Sequence, residues 1–201
     1  MFVLISLSRF FAVAHSEGTL SNPVRSSEAP LRLVESGEQG SSLDSVYRRY
    51  GRYVAAVVLR LDGRDAEIDD VVQDVFVEAA RGIARVRQPE AIKGWLATIT
   101  VRVVRRRLRM RRLRRFLGVD HGSSGVNAIA PSVSPLDRLL LRAVYQVLDD
   151  LPVDDRLAFS LHIIEGEKMD AVARLCGCSF ATAKRRVARA QREIEKRLSD
   201  V

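Results

Sequence analysis

From residue 43 onward, the chain is patterned as a series of amphipathic helices. Apolar side chains recur at steps of three and four residues, which is the period of an α-helix with one buried face. The first stripe stops near Asp62-Gly63 and contains Val46, Tyr47, Tyr50, Val54, Val57 and Leu61. The second has the cleanest period and contains Ile68, Val71, Val72, Val75, Phe76, Ala79, Ala80 and Ile83.

The second predicted helix also carries an acidic face. At about 100° per residue, one side away from the apolar stripe collects Asp69, Asp70, Gln73, Asp74 and Val77. These acids either favour the positive end of the helix dipole in solvent or bind a basic partner. Spacing alone favours the solvated face and leaves the partner open.

A third predicted helix begins after Gln88-Pro89 and runs into a dense series of arginines. Its buried stripe is Ile92, Trp95, Leu96 and Ile99. Guanidinium groups at this density repel one another unless counter-charges lie nearby, and a nucleic-acid backbone is the obvious source. The alternative is a solvated arginine-rich tail or a localisation patch. The series is Arg102, Arg105, Arg106, Arg107, Arg109, Arg111, Arg112, Arg114 and Arg115.

Residues 118–135 are rich in Gly, Ser and Pro and lack periodic apolar residues, which predicts a flexible linker between two modules. A helix ending near Asp149-Asp150 follows it, and another runs from Val153 to Gly166. The stripe of the first of these helices is Leu136, Leu139, Leu140, Ala143, Val144, Val147 and Leu148.

The last segment, Met169 to Leu198, has the order of a helix-turn-helix. Gly177 permits the turn, and Ser179 is placed to cap the second helix with its hydroxyl. The apolar stripe of that helix is Phe180, Ala183, Val187, Ala190, Ile194 and Leu198. The opposite face is small and basic, as a DNA-reading helix requires, although an exposed basic helix without a function is the alternative.

Charge and composition support a nucleic-acid partner. Lys and Arg number 33 against 25 Asp and Glu, so the net charge is +8, and 47% of residues are hydrophobic, enough for folded cores. We expect residues 1–42 to be a disordered leader. Arg9 interrupts its only apolar run and no positive charge precedes that run, so neither a spanning helix nor a secretory signal is favoured. The expected location is cytoplasmic.

No constellation predicts catalysis. His15, His121 and His162 are scattered over the leader, the linker and a helix, and no carboxylates form a second ligand set. Cys176-Gly177-Cys178 with a distant His162 invites a zinc or redox-sensor interpretation, but two cysteines are too few for a closed structural zinc site. We therefore predict no enzyme, no catalytic residue, no metal site and no cofactor.

Over about Ser45 to Leu198, the chain resembles the extracytoplasmic-function class of bacterial sigma factors. The string IDDVVQDVFVEAARGI is similar to the helix with which these proteins bind core RNA polymerase. The resemblance implies docking on the clamp helices of the largest polymerase subunit. The implied polymerase-binding residues are Asp69, Asp70, Gln73, Asp74 and Val77.

The string AIKGWLATITVRVVRRRLRMRRLRR is similar to the family's stretch that opens and reads the promoter −10 element. Trp95, Leu96 and Ile99 match the family pattern. The usual Phe, Asn and Asp are replaced by Ile92, Arg102 and Arg106 respectively. The implied −10 contacts are Trp95, Arg102, Arg105, Arg106, Arg109 and Arg112.

The string MDAVARLCGCSFATAKRRVARAQREIEKRL is similar to the family's module that reads the −35 element. Cys176, Cys178 and Ala183 stand where aliphatic residues are general, and Arg185 replaces a common Ser. The implied −35 contacts are Ser179, Thr182, Lys184, Arg185, Arg186, Arg189 and Arg192.

The resemblance implies an all-α fold of two small helical domains joined by the linker, with a C-terminal helix-turn-helix. Residues 43–117 would form sigma region 2 and residues 136–199 sigma region 4. The implied partners are core RNA polymerase, including the flap of its second-largest subunit, promoter DNA and an anti-sigma factor, without a membrane. The alternative is a helix-turn-helix transcriptional regulator that acts without attachment to core polymerase.

Overall fold

The computed structural model describes residues 43–64, 67–86, 88–118 and 135–199, with side chains from Leu139 onward in the last range. Every regular element within these ranges is helical. The N-terminal module consists of α1 (Leu43–Asp62), α2 (Ile68–Ala80) and α3 (Ala91–Phe116), with a 3₁₀ turn at Ile83–Arg85. These three helices pack against one another in pairs.

The C-terminal module consists of four helices. They are α4 (Pro135–Asp150), α5 (Val153–Phe159), α6 (Met169–Cys176) and α7 (Phe180–Ser199), and a π-helical turn at Ser160–Ile164 follows α5. The long helix α7 packs against the other three. The fold therefore confirms two small helical domains with a helix-turn-helix at the C-terminal end.

The apolar stripes fill the cores with a few exceptions. Val54, Val75, Leu96 and Ile194 have no exposed surface, as the periodicity predicts. The prediction is wrong at four other positions, which are exposed: Tyr47, Ala80, Leu139 and Phe180. Phe180 is the first residue of its helix, and Tyr47 and Leu139 each lie one turn from a helix start, where few neighbouring turns cover a side chain.

Helix boundaries differ from the sequence prediction at two places. Helix α2 ends at Ala80, and Ile83 lies in the separate 3₁₀ turn. The helix expected to run from Val153 to Gly166 changes to π geometry at Ser160, and Gly166 has a positive φ of 71°. The leader 1–42 and residues 119–134 of the linker lie outside the described residues.

The two modules pack directly on each other. Helix α3 contacts α5 and α6, and α1 contacts the π-helical turn. Leu157, Leu161 and Val172 of the C-terminal module are buried in one cluster with the core of α1 to α3. The contact therefore includes apolar burial as well as charge.

Gly63 lets the end of α1 approach α4. It adopts a φ of 71°, in the left-handed region that favours glycine, and a Cβ there would overlap the ring of Tyr145. The Tyr145 hydroxyl donates a hydrogen bond to the carbonyl oxygen of Arg60 at 2.8 Å. A side chain at position 63 would therefore require the Tyr145 ring or the end of α1 to shift.

Candidate nucleic-acid and protein interfaces

The acidic face of α2 points outward. Val71, Val75 and Phe76 turn into the core, which leaves the opposite side of the helix exposed. Asp69 and Asp70 lie in the first turn, where the helix dipole favours carboxylates. Val77 is 56% exposed, an apolar side chain beside the acids. All five residues predicted for this face are exposed: Asp69, Asp70, Gln73, Asp74 and Val77.

The C-terminal end of this acidic face faces arginines of α3. Arg106 donates from Nη1 to Glu78 Oε1 at 2.8 Å, and its Nη2 lies 3.7 Å from Asp74 Oδ2. Arg102 Nη1 lies 3.9 Å from Glu78 Oε2. Sequence reasoning did not single out Glu78, although its position four residues after Asp74 was a signal. The arginines here balance acids of the same module.

Three further arginines of α3 face the C-terminal module instead. Arg105 Nε and Arg109 Nη2 lie 3.1 Å and 3.4 Å from the carboxylate of Asp154. Arg112 donates from Nη1 to the carbonyl oxygen of Leu151 at 3.1 Å. The five arginines predicted for the −10 element thus divide between two sides of α3.

One arginine of α3 is buried, and the predicted tryptophan is half-buried. Arg111 is 9% exposed and forms an ion pair with buried Asp62 at the end of α1. The sequence suggested a nucleic-acid backbone as the counter-charge for this series, but at Arg111 a buried carboxylate of the same module compensates the charge. Trp95 is half-buried, and its ring packs over Gly82 in the turn after α2.

The helix-turn-helix has the local geometry that its residues predict. Gly177 ends α6 with a φ of 63°, and the backbone N–H of Thr182 donates to Ser179 Oγ at 3.2 Å. This bond satisfies one of the free N–H groups at the start of α7. The predicted cap is therefore confirmed.

Helix α7 has a buried side and a basic side. Ala183, Val187, Ala190 and Ile194 are buried against the rest of the module. Of the residues predicted for the −35 element, Ser179, Lys184, Arg185, Arg189 and Arg192 are exposed, and Thr182 and Arg186 are half-buried.

Two acids of α5 bind arginines of α7. Arg189 makes two hydrogen bonds to the buried carboxylate of Asp155, at 2.6 Å and 2.7 Å, and this hydrogen bonding raises the pKa of Arg189. Arg186 Nη2 lies 3.4 Å from Asp154 Oδ2. Sequence reasoning missed both acids, whose only local signal is their place in the first turn of a helix.

Comparison with known proteins identifies both modules. Residues 46–114 match the family described as Sigma-70 region 2, and residues 141–194 match Sigma-70 region 4. The chain is 31% identical over 149 residues to a probable RNA polymerase sigma factor, RfaY, of Xanthomonas campestris, but that match spans 37% of the relative's length. It is 28% identical to the ECF RNA polymerase sigma-E factor of Haemophilus influenzae, covering 83% of this chain and 93% of that one.

Solved structures share the fold. The sigma factor RpoE of Bartonella quintana, in complex with the anti-sigma factor NepR, superposes with a TM-score of 0.59 at 23% identity, covering 79% of this chain and 98% of that one. CnrH, in complex with the cytosolic domain of CnrY, gives 0.53 at 20% identity, covering 96% and 98%. Because both sigma-70 regions match in order and together cover more than half of the sequence, the chain belongs to the sigma-70 family, in its extracytoplasmic-function class.

Proposed function

We propose that this protein binds core RNA polymerase through the exposed acidic face of α2 and directs initiation at promoters contacted by α3 and α7. The observation that supports this most is the pairing of one outward acidic helix with two basic helices in a single chain. Such an arrangement suits a protein that bridges a basic surface and DNA. A helix-turn-helix regulator without polymerase attachment has no use for the acidic face.

The polymerase contact we propose uses Asp69, Asp70, Gln73 and Asp74, with Val77 as an apolar centre. Exposed carboxylates steer a basic partner and fix its register, whereas a desolvated apolar side chain adds binding energy. The partner is the clamp-helix region of the largest subunit, and the flap of the second-largest subunit would bind the C-terminal module.

For the −10 element, we propose that Trp95 stacks on an unpaired base while Arg102, Arg105, Arg106, Arg109 and Arg112 hold the nearby phosphates. For the −35 element, the first turn of α7 would reach base edges with Thr182 and Arg185, because N-terminal residues of a recognition helix enter the major groove. The other proposed contacts anchor the backbone: Ser179, Lys184, Arg186, Arg189 and Arg192.

The protein's physical role is to supply binding energy. Capture of unpaired promoter bases by the N-terminal module shifts the closed-to-open DNA equilibrium, while the polymerase performs RNA synthesis. Sigma factors are initiation factors without enzymatic activity, and we infer the same of this chain and a cytoplasmic site of action. No helix in the described part of the chain is both long and apolar enough to cross a bilayer.

The proposed division into units follows from these roles. Residues 43–117 form region 2 and residues 136–199 form region 4, joined by residues 118–135, with residues 1–42 as a leader.

A third partner is suggested by the Bartonella relative, whose structure contains an anti-sigma factor. We infer that an inhibitor of this kind also acts on the present chain.

The deciding experiment is charge reversal on α2. We expect Asp70→Lys/Asp74→Lys to abolish co-purification with core RNA polymerase and run-off transcription, because both side chains are exposed and would meet a basic surface with the wrong sign. The matched control is Asp44→Lys/Asp170→Lys, which makes the same change in net charge at two exposed aspartates of other helices. Unchanged polymerase binding by the first variant would contradict the proposal and favour a classical regulator.

A further inference from the structure

One carboxylate lies between the two basic helices. Asp154 Oδ1 is 3.1 Å from Arg105 Nε of α3, and its Oδ2 is 3.4 Å from both Arg109 Nη2 of α3 and Arg186 Nη2 of α7. We call these four residues the Asp154 clasp. Arg105 also donates from Nη2 to the carbonyl oxygen of Cys176 at 2.9 Å. A single acid thus holds guanidinium groups from both proposed promoter-contacting helices.

The end of α3 adds contacts to the end of α4. Arg115 donates from Nη2 to the carbonyl oxygen of Asp149 at 2.6 Å, and Arg112 donates to that of Leu151. The carbonyl end of a helix carries partial negative charge, so cations there are favourable. The arginine-rich helix is consequently neutralised along one side by the C-terminal module.

A buried arginine of the C-terminal module also contacts the N-terminal module. Arg156 of α5 is 2% exposed, and its Nη2 donates to the carbonyl oxygen of Asp62 at the end of α1 at 2.8 Å. The same guanidinium bonds Asp149, and together with Arg64 it holds the pKa of that carboxyl below its usual range despite the opposing effect of burial. Tyr145 against Gly63 completes this side. The contact between modules therefore combines a dry centre with a charged rim.

We infer that the free chain holds itself closed, with its C-terminal module occupying arginines that would otherwise bind promoter phosphates and with Asp154 as their shared counter-ion. The inference rests on the proposed function for the identity of those DNA contacts. A phosphate and Asp154 cannot both accept from the same N–H groups of Arg109 and Arg186, nor can both lie against the guanidinium of Arg105. Promoter binding by the free chain then requires the clasp to open, and its apparent affinity falls by the fraction of closed molecules.

Substitution of Asp154 tests the closed state. We expect Asp154→Asn to increase the radius of gyration of the full-length free chain in small-angle X-ray scattering. We also expect it to tighten promoter-duplex binding about 10-fold, since several part-buried ion pairs are lost together. The matched control is Asp170→Asn, which removes the same charge from the first turn of α6. The control should leave both measurements unchanged.

A second variant opens the modules without changing charge. Gly63→Ala places a methyl group against the Tyr145 ring. Gly166 has the same positive φ of 71°, but nothing lies within 4 Å of the carbon that Gly166→Ala would add, so that variant is the matched control. We expect Gly63→Ala to expand the chain and Gly166→Ala to leave its size unchanged. Backbone strain alone would affect both variants alike.

Two results would overturn the closed state. The first is a wild-type chain that scatters as two separated modules at low salt. The second is an Asp154→Asn chain indistinguishable from Asp170→Asn in both size and duplex binding. Run-off transcription with core polymerase separates the two proposals. A wild-type chain that is extended but still initiates transcription would contradict the closed state and support the proposed function. A wild-type chain that is compact and opens in the variants, but never initiates transcription, would support the closed state and contradict the proposed function.

Discussion

At the scale of single residues, Glu167 is placed where its charge is unfavourable. Burial raises the pKa of Glu167, and the charge of Glu165 raises it further, against the opposing effects of Arg174 and Lys93. Burial, with the same two glutamates, raises the pKa of Tyr53 to about 12. The carboxylates of Glu165 and Glu167, beside the π-helical turn, are therefore not fully compensated by the basic side chains around them.

This environment predicts a pH-dependent gain in stability from Glu167→Gln. A carboxyl whose pKa is raised in the folded state stabilises the fold below its unfolded pKa and loses that contribution as the pH rises through the folded value. Ionised Glu167 thus destabilises the protein at pH 7. We expect the melting temperature of the variant to be about 1–2 °C above that of the wild type at pH 7, measured by circular dichroism. At pH 4, we expect the variant and the wild type to melt at the same temperature. An equal gain at both pH values would mean that packing, not charge, is responsible.

The residues at the helix-turn-helix corner could be assigned from sequence alone. Gly177 and Ser179 act through their own backbone and the next turn, so their roles depend only on neighbours in the chain. Cys176 is 4% exposed and fills space, and burial raises the pKa of its thiol to about 11. The burial predicted for Phe180 was wrong, because it depends on another element. Local periodicity cannot tell whether a neighbouring helix covers the first residue of a helix.

At the scale of elements, the pair between Arg111 of α3 and Asp62 of α1 ties two helices together. Their side chains are 10% and 2% exposed. Arg111 Nη1 is buried and has no hydrogen-bond partner among the described residues. A buried pair with an unsatisfied donor adds little net stability, but either partner left alone is a buried, uncompensated group.

The pair therefore predicts strongly non-additive mutations. We expect Arg111→Leu to destabilise the protein by about 3 kcal/mol, because it leaves the Asp62 carboxylate buried without a counter-charge. Adding Asp62→Asn should restore most of that loss. Urea unfolding of both single variants and the double variant measures the coupling. Additive losses would show that the two groups act independently.

Periodicity predicted the faces of α2 well and those of α3 only in part. On α2, the acids lie opposite a single apolar stripe, so one helix decides which residues are exposed. On α3, the arginines surround a helix that contacts α1, α2, α5 and α6. The neighbouring helix decides whether a given guanidinium is exposed, paired or buried. Arg106 contacts α2, Arg105 contacts α5, and Arg111 contacts α1.

At the scale of the whole molecule, the sequence predicted two modules but not their contact. The partners in the Asp154 clasp are separated by 49, 45 and 32 positions in the chain, and no local pattern marks such pairs. Asp149, Asp154 and Asp155 read as ordinary helix-terminal acids until α3 is placed beside them. The surplus of arginines suggested phosphate as the counter-charge, and in the free chain carboxylates and carbonyl oxygens take that place.

The Asp154 clasp has a consequence for how ionic strength acts on the protein. DNA releases condensed cations when guanidinium groups replace them, but the carboxylate freed in the exchange recruits cations of its own, so the net release is smaller. The plot of log affinity for promoter duplex against log salt should be steeper for Asp154→Asn than for the wild type, by about 0.9 per phosphate contact no longer offset. Equal slopes in a titration by fluorescence anisotropy would contradict this. Promoter binding by the free wild-type chain should consequently tolerate added salt better than its count of arginines suggests.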